Sequence, residues 1–429
     1  MTAVLHPARV QDIAELRQLY FEVYGHGYPV PLGSDPVVMR RLIADGTAHW
    51  LTARTDGGVL VGSAVVLTEP GSRIGKLVGL AVHPGHRGGG LASRLTGAVC
   101  DEAFATGRLD SVYATVRVVT EGPQHVVVRN GFRPLGLLPN AVEVDGCETL
   151  ALFARYADGV LEHRAPVAHV PERLSALLSA AGSGVGIDYS DVDRTDTPGP
   201  LPRRSGCAEE GAGGAHIELI AAPAFVRRRF LELFPQADAR FFPLHTPNAV
   251  LVAADGRFEA YADLDPVAGS CALVAVHPRP AAVAGALETL IATVTRAGAD
   301  YVEALLPLAD AEALQVFLDS GFVPSALYPA MRRVPATGGE PAGAHDRVPA
   351  LRVDGGRVRD RCLEPGPGPD LGRGGRLDRD RFHDYVVLSR TSRQIDFRSA
   401  AVSPLLQPYL GAYLSAWTAT YLPLSEVSR

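Results

Sequence analysis

Apolar positions recur with two periods along the chain, and their alternation predicts most of its elements. Ala3 to Pro7 reads as an edge strand. Asp12 followed three residues later by Glu15 is a capping-box-like start, and Ile13, Leu16, Tyr20 and Val23 then fall on one helical face. Leu51 to Ala53, Val59 to Leu67 and Lys76 to Val82 read as successive strands. Leu91, Leu95, Ala98, Val99 and Ala103 trace a further helix that Gly107 ends. Asp110 to Val119 predicts another strand, a short helix reaches Asn130, and Leu174, Leu177 and Leu178 mark one more short helix. Two stretches lose the pattern. Gly182 to Gly214 is rich in Gly, Pro, Ser and acidic residues and reads as a linker; Pro335 to Arg381 holds few large apolar residues and is expected to be a disordered insertion.

The two patterned blocks resemble each other. In the first, TARTDGGVLVGSAVV leads to GLAVHPGHRGGGLASRL; in the second, VAADGRFEAYADL leads to CALVAVHPRPAAVAGAL. Both reach a Gly-Phe followed by Pro, Leu and Pro, at Gly131, Phe132, Pro134, Leu137 and Pro139 and at Gly321, Phe322, Pro324, Leu327 and Pro329. Val112 to Phe132 and Val302 to Phe322 span the same 20 residues, whereas Pro84 to Val112 spans 28 and Pro278 to Val302 only 24. The second copy is therefore four residues short where the first has its glycines. Glu148–Arg155 finds its counterpart in His383–Arg390, which makes the 335–381 stretch an insertion within the second copy. A repeat this long implies tandem domains and not a solenoid.

Composition narrows the class. The chain has 429 residues, 47% hydrophobic and 21% charged, with net charge −6, so a largely disordered protein and a nucleic-acid coat are both disfavoured. No apolar run is long enough to span a membrane and no signal pattern opens the chain, so a cytoplasmic protein without membrane or nucleic-acid partners is expected. Cys100, Cys147, Cys207, Cys271 and Cys362 show no paired spacing, which fits a reducing compartment and no metal site. Lys76 is the only lysine, in keeping with the coding bias of a GC-rich genome.

The most informative stretch is GKLVGLAVHPGHRGGGLASRL. It places a strand, then His83-Pro84, then Arg87, Gly88, Gly89, Gly90, Leu91 and Ala92 at the first turn of a helix. A helix N-terminus offers unpaired N–H groups and a positive dipole end to an anion, and glycines let backbone approach it closely. Taken alone, a glycine triplet reads more readily as a flexible turn.

With that order of elements, Arg87 to Ala92 resembles the R/Q-x-x-G-x-G/A element of the GNAT N-acetyltransferase superfamily, and Gly131-Phe132 resembles its second landmark. The likeness covers residues 2–156 well, and 216–334 with 383–429 more faintly. It implies an α/β (α+β) chain of two GNAT-like domains in tandem, each a mixed, largely antiparallel sheet flanked by helices. The expected division is 1–165 with an acyl-CoA site, 166–214 as a short helix and flexible linker, and 215–429 as a GNAT-like domain lacking the CoA loop. The ligand implied is acetyl-CoA or another acyl-CoA. Its pyrophosphate would sit on the amides of 87–92 and its pantetheine along Leu80, Ala81 and Val82. The activity implied is N-acyl transfer (EC 2.3.1.-) by direct attack of a small-molecule amine on the thioester. Two alternatives stand beside it: a donor thioester on an acyl carrier protein, and a non-catalytic acyl-CoA sensor.

Direct transfer needs a base for the ammonium, a donor for the oxyanion and an acid for the departing thiolate. The resemblance assigns the oxyanion donor to the backbone N–H of Val82. The tyrosine that serves as acid in many relatives is replaced here by Val127, and in the second copy by Phe317. Glu69, His83 and His125 are the candidates for proton transfer; Gln124 and Glu121 open the same helix as His125 and read as capping or solvent-facing. Tyr24, His26 and Tyr28 fall in the loop that walls the acceptor pocket in such folds. Tyr261, Asp263, Asp265 and Glu303 would present polar groups to a substrate if the two copies face each other.

Overall fold

The computed structural model describes residues 3–25, 31–143, 146–195, 216–236, 240, 242, 244–334, 353–354, 357–358, 380–398 and 400–422. His26 and Tyr28 therefore lie outside the described residues, as does nearly all of the 335–381 insertion; within it Val353–Asp354 pairs antiparallel with Arg357–Val358.

Seven strands of the first copy are β1 (Val4–Pro7), β2 (Ala48–Arg54), β3 (Leu60–Thr68), β4 (Ile74–Val82), β5 (Ser111–Arg117), β6 (Arg133–Glu143) and β7 (Cys147–Tyr156). Seven of the second are β8 (Ile217–Ile220), β9 (Ala249–Ala253), β10 (Glu259–Asp265), β11 (Ser270–His277), β12 (Tyr301–Pro307), β13 (Val323–Val334) and β14 (Arg381–Thr391). All fourteen form one sheet in the order β1-β2-β3-β4-β5-β7-β6-β13-β14-β12-β11-β10-β9-β8. Read from either edge, the order is the same, so the repeat seen in the sequence is a repeat of topology. In each copy the late strand (β7, β14) inserts between two earlier ones. Only β4 with β5 and β11 with β12 run parallel; every other pair is antiparallel.

The copies join where β6 meets β13, through the single register pair Gly136 and Ala326. A Cβ at Gly136 would stand 2.3 Å from the Ser325 carbonyl oxygen, so only glycine permits this approach. Over the seam lie α5 (Ser175–Val185) and α9 (Gln407–Tyr421), each the helix that follows its copy's last strand. Tyr409 passes against Gly184, where a Cβ would come within 2.5 Å of its hydroxyl, and donates to the Pro134 carbonyl at 2.6 Å. This corrects the linker expectation for residues 182–195. Gly184 is small because two helices touch there, α5 runs on to Val185, and His169–Val170 pairs with Asp193–Arg194. Residues 196–214, the rest of the expected linker, lie outside the described residues.

Helices α1 (Ile13–Tyr24) and α2 (Pro36–Ala44) cover one face of β2–β4, burying Leu16, Leu19, Tyr20, Met39, Trp50 and Val65. Each buried leucine contributes about 1.5–3 kcal/mol there. The start of α1 departs from the predicted capping box. Asp12 accepts from the Arg9 N–H at 2.8 Å and pairs with Arg54, which also binds Glu15. On the opposite face α3 (Leu91–Ala105) and α4 (Glu121–Arg129) bury Leu95, Val99, Val127 and Phe132. The second copy repeats this with α6 (Pro223–Leu233) on one face and α7 (Leu287–Arg296) and α8 (Ala311–Asp319) on the other.

Candidate active site

The site grows from the point where β4 and β5 part. They share three parallel pairs, Ile74 with Ser111, Gly75 with Val112 and Lys76 with Tyr113, and the rest of β4 has no partner on that side. On its other side β4 pairs with β3 through a bulge. Val65 faces Val78 and Ser63 faces Ala81, so Gly79 and Leu80 are accommodated between, with Gly79 at φ +60. A hydrogen-bond chain fixes the bulge. Trp50 Nε1 donates to Ser63 Oγ at 2.9 Å, and Tyr20 OH lies 2.9 Å from Ser63 Oγ and donates to the Gly79 carbonyl at 2.9 Å. A carbonyl only accepts, so the tyrosine proton goes to Gly79 and the Ser63 hydroxyl must donate to the tyrosine oxygen. All three side chains are buried.

Past the bulge, His83 N–H bonds to the Val61 carbonyl at 2.9 Å. Because antiparallel partners alternate, the N–H and C=O of Val82 point away from β3 into the opening between β4 and β5. The Val82 carbonyl accepts from Arg87 Nε at 3.2 Å, and the Leu80 carbonyl accepts from Tyr24 OH at 2.5 Å. Burial raises the Tyr24 pKa, against the lowering fields of Arg87 and Arg117, so its hydroxyl stays protonated at neutral pH.

The strand runs into the glycines. Gly88 and Gly90 take left-handed φ values of +83 and +74, and Cβ atoms built on Gly88, Gly89 or Gly90 meet nothing within 4 Å. The backbone there is exposed and bare. In α3 the first i→i−4 bond is Arg94 N–H to the Gly90 carbonyl at 3.1 Å, so the amides of Leu91, Ala92 and Ser93 precede the ladder. Open glycines, unladdered amides and a fifteen-residue helix dipole suit a diphosphate, so these residues fit the end of an acyl-CoA that carries charge. The matching segment of the second copy differs. Pro280–Val283 forms a short turn whose Pro280, Ala281 and Val283 are buried, filling with side chains what the first copy leaves open.

The remaining predicted residues are engaged in other contacts. His83 caps its own turn: Nδ1 accepts from the Gly85 N–H at 3.1 Å, which places the ring proton on Nε2, 3.5 Å from Glu22. Its basic lone pair is thus already used. His125 forms an exposed pair with Glu121, 3.7 Å away on the same helix. Gln124, expected at the surface, is fully buried; it donates to the Ala401 carbonyl at 2.7 Å and accepts from Ser403 N–H at 3.0 Å, tying α4 to the second copy. Glu69 pairs with Arg240 and accepts from Leu244 N–H at 3.3 Å, again across the two copies. Val127 and Phe317 both point into the core.

A cavity lies between the copies, and Glu303, expected to face a substrate if the copies meet, lines it; Lys76 on its other wall carried no such signal in the sequence. Measuring about 60 Å³, the cavity is lined among others by Lys76, Tyr113 and Thr115 from the first copy and by His245, Glu303 and Tyr328 from the second. His245 Nδ1 lies 3.1 Å from Asp263 Oδ2, and Tyr301 OH donates to Glu303 Oε2 at 2.8 Å. Burial raises the Glu303 pKa and lowers that of Lys76. Of the other polar residues expected on this face, Tyr261 is buried against Glu259, and Asp265 is exposed and caps its own turn. A larger depression of about 560 Å³ lies beside β1, edged by the ion-paired Arg54, Asp12 and Glu15.

Among the described residues no helix is long and apolar enough to cross a membrane, and no cluster of three or more His, Cys, Asp or Glu is placed to hold a metal ion. A comparison with curated proteins finds no match. Solved structures similar to this chain include an acetyltransferase of the GNAT family from Streptococcus pneumoniae, 18% identical, covering 36% of this chain and 99% of that one with a TM-score of 0.33. A phosphinothricin acetyltransferase from Sinorhizobium meliloti in complex with AcCoA is 18% identical, covering 37% and 95% with a TM-score of 0.32. A spermidine N-acetyltransferase from Vibrio cholerae in complex with CoA and spermine is 16% identical, covering 36% and 95% with a TM-score of 0.32. The family model of the Acetyltransferase (GNAT) family matches residues 11–132, a span that holds α1, the bulged β4, the glycine loop and the Gly-Phe landmark. Residues 11–132 are a GNAT acetyltransferase domain.

Proposed function

We propose that the protein is an N-acetyltransferase that moves an acetyl group from acetyl-CoA to a small-molecule amine, and that the donor binds the first copy alone. The observation that carries this reading is the bare glycine loop of residues 88–90 at the start of α3, beside a β4 edge whose Val82 N–H faces the opening. When bound, acetyl-CoA supplies an acyl carbon activated as a thioester. The amides of Arg87 to Ala92 would hold its pyrophosphate, and the edge of Leu80, Ala81 and Val82 its pantetheine arm. The Val82 N–H is the main-chain donor left for the acyl oxygen. Tyr24, held protonated over the same edge, would serve a departing sulfur in the place of the missing tyrosine at 127 by turning its proton from the Leu80 carbonyl. Residues 215–429 form, in this reading, a GNAT-like copy that has lost its anion loop to Pro280, Ala281 and Val283.

Isothermal calorimetry with acetyl-CoA on the full chain, followed by thiol release with an amine panel, tests the reading. One mole of acetyl-CoA bound per chain and amine-dependent release of CoA are expected. Binding with no release on any amine would favour a sensor. Release only from a thioester on a carrier protein would move the donor to that class.

A further inference from the structure

The cavity between the copies holds the one lysine of the chain, in a sequence whose other strongly basic residues are all arginine. Among the described residues, the Lys76 ammonium has no carboxylate within 4.0 Å and donates no hydrogen bond. It lies over the ring of Tyr113, 5.5 Å from the ring centre. A cation–π contact at that distance is a weak substitute for an ion pair. Lys76 and the acidic Glu303 and Asp263 feel one another's charge across the space without forming an ion pair, which leaves room for a ligand that pairs with both sides.

The other walls say what kind. Across the space stand Glu303, its Oε2 held by Tyr301, and the His245–Asp263 pair. The cavity thus presents Lys76 on one wall and the acidic Glu303 on the other, with apolar side chains such as Leu138, Leu152, Phe242 and Met331 between them. A volume of about 60 Å³ takes on the order of four waters, or the head group of a small molecule. Its position fits the donor groove. Lys76 with Tyr113 is the last pair before β4 and β5 diverge, and Thr115, also on the wall, lies farther along the divergence. The cavity begins where the groove along Leu80 to Val82 runs out.

We propose that this cavity recognises the acceptor, and that the acceptor is a small zwitterionic amine whose acidic group pairs with Lys76 and whose ammonium faces Glu303. This rests on the acyl-transfer reading above and adds to it a substrate class and a role for the second copy. A single lysine makes the site directly visible, because lysine labelled with ¹³C at Cε gives one side-chain signal from the full chain. Calorimetry with acetyl-CoA comes first; if it does not bind, the acyl-transfer reading fails and this proposal with it. With acetyl-CoA bound, a panel of α-amino acids is then compared, each with its own carboxamide. The expected result is that at least one free acid shifts the Lys76 signal and accepts acetyl with kcat/KM at least tenfold above its amide. In Lys76→Met that preference falls to near unity while acetyl-CoA affinity is retained. Equal use of acids and amides, an unmoved lysine signal with every acid, or a preference that survives in Lys76→Met would each overturn the proposal. The wild-type comparison stands even if the variant does not fold.

Discussion

Tyr20→Phe removes one oxygen atom and leaves the ring in the core between α1 and β4. The hydroxyl is the middle of a chain that runs from Trp50 through Ser63 to the Gly79 carbonyl. Without it, the Ser63 hydroxyl loses its acceptor and Gly79 loses its donor, both in a buried setting. At about 1–3 kcal/mol for each of the two buried groups left unpaired, the loss comes to about 2–6 kcal/mol, larger than the transfer gain of a more apolar ring. The consequence reaches function, since the Gly79–Leu80 bulge sets which way the Val82 N–H faces. Urea unfolding followed by far-UV dichroism reads the stability, and calorimetry with acetyl-CoA reads the groove. We expect the unfolding midpoint to fall and acetyl-CoA affinity to weaken several-fold in the folded variant. A Tyr20→Phe protein within about 0.5 kcal/mol of wild type, with undiminished affinity, would refute the claim that this chain holds the bulge.

Three further outcomes are expected. Asp384 is fully buried and accepts from Arg164, from Tyr189 OH at 2.9 Å and from Ala330 N–H at 2.8 Å. Asp384→Asn should therefore destabilise by about 3–5 kcal/mol in denaturant unfolding, because Arg164 is left charged without its partner. Gly136→Val should distort the seam, since its side chain would overlap the Ser325 carbonyl, and the thermal unfolding midpoint should fall by several degrees. Burial pushes the Cys100 thiol up to about 12, and Cys147 is exposed, so at pH 8 an alkylating reagent followed by peptide mapping should modify Cys147 well before Cys100.

Local order was readable from the chain. The spacing of Phe132 and Phe322, the strand pair at 148–155 and 383–390, and the helix after the glycines all describe elements whose signals lie within a few residues of one another. They give the mirrored strand order of the sheet. What the sequence hid is set by contacts far apart along it. Ser111 Oγ meets Tyr328 OH at 2.9 Å across 217 positions, and Gln124 is buried by residues that lie beyond 400. Gly184 looked like linker because small residues mark loops and close helix contacts alike. Glu69 carries the right chemistry for a base, yet it is engaged by Arg240, far along the chain, which no local pattern announces. Lys76 read as a residue of coding bias until its walls were seen.

The central claim is that main-chain amides bared by glycine hold the diphosphate of the donor, and Gly89 tests it most directly. Its φ is not left-handed and a Cβ there meets nothing within 4 Å, so Gly89→Glu leaves the fold intact. A carboxylate about 4 Å from a phosphate costs about 4 kcal/mol near a protein surface, roughly a thousandfold in affinity. Calorimetric titration of acetyl-CoA into this variant should show binding lost by that order, with the thermal unfolding midpoint unchanged. Wild-type affinity in Gly89→Glu would place the donor elsewhere in the molecule.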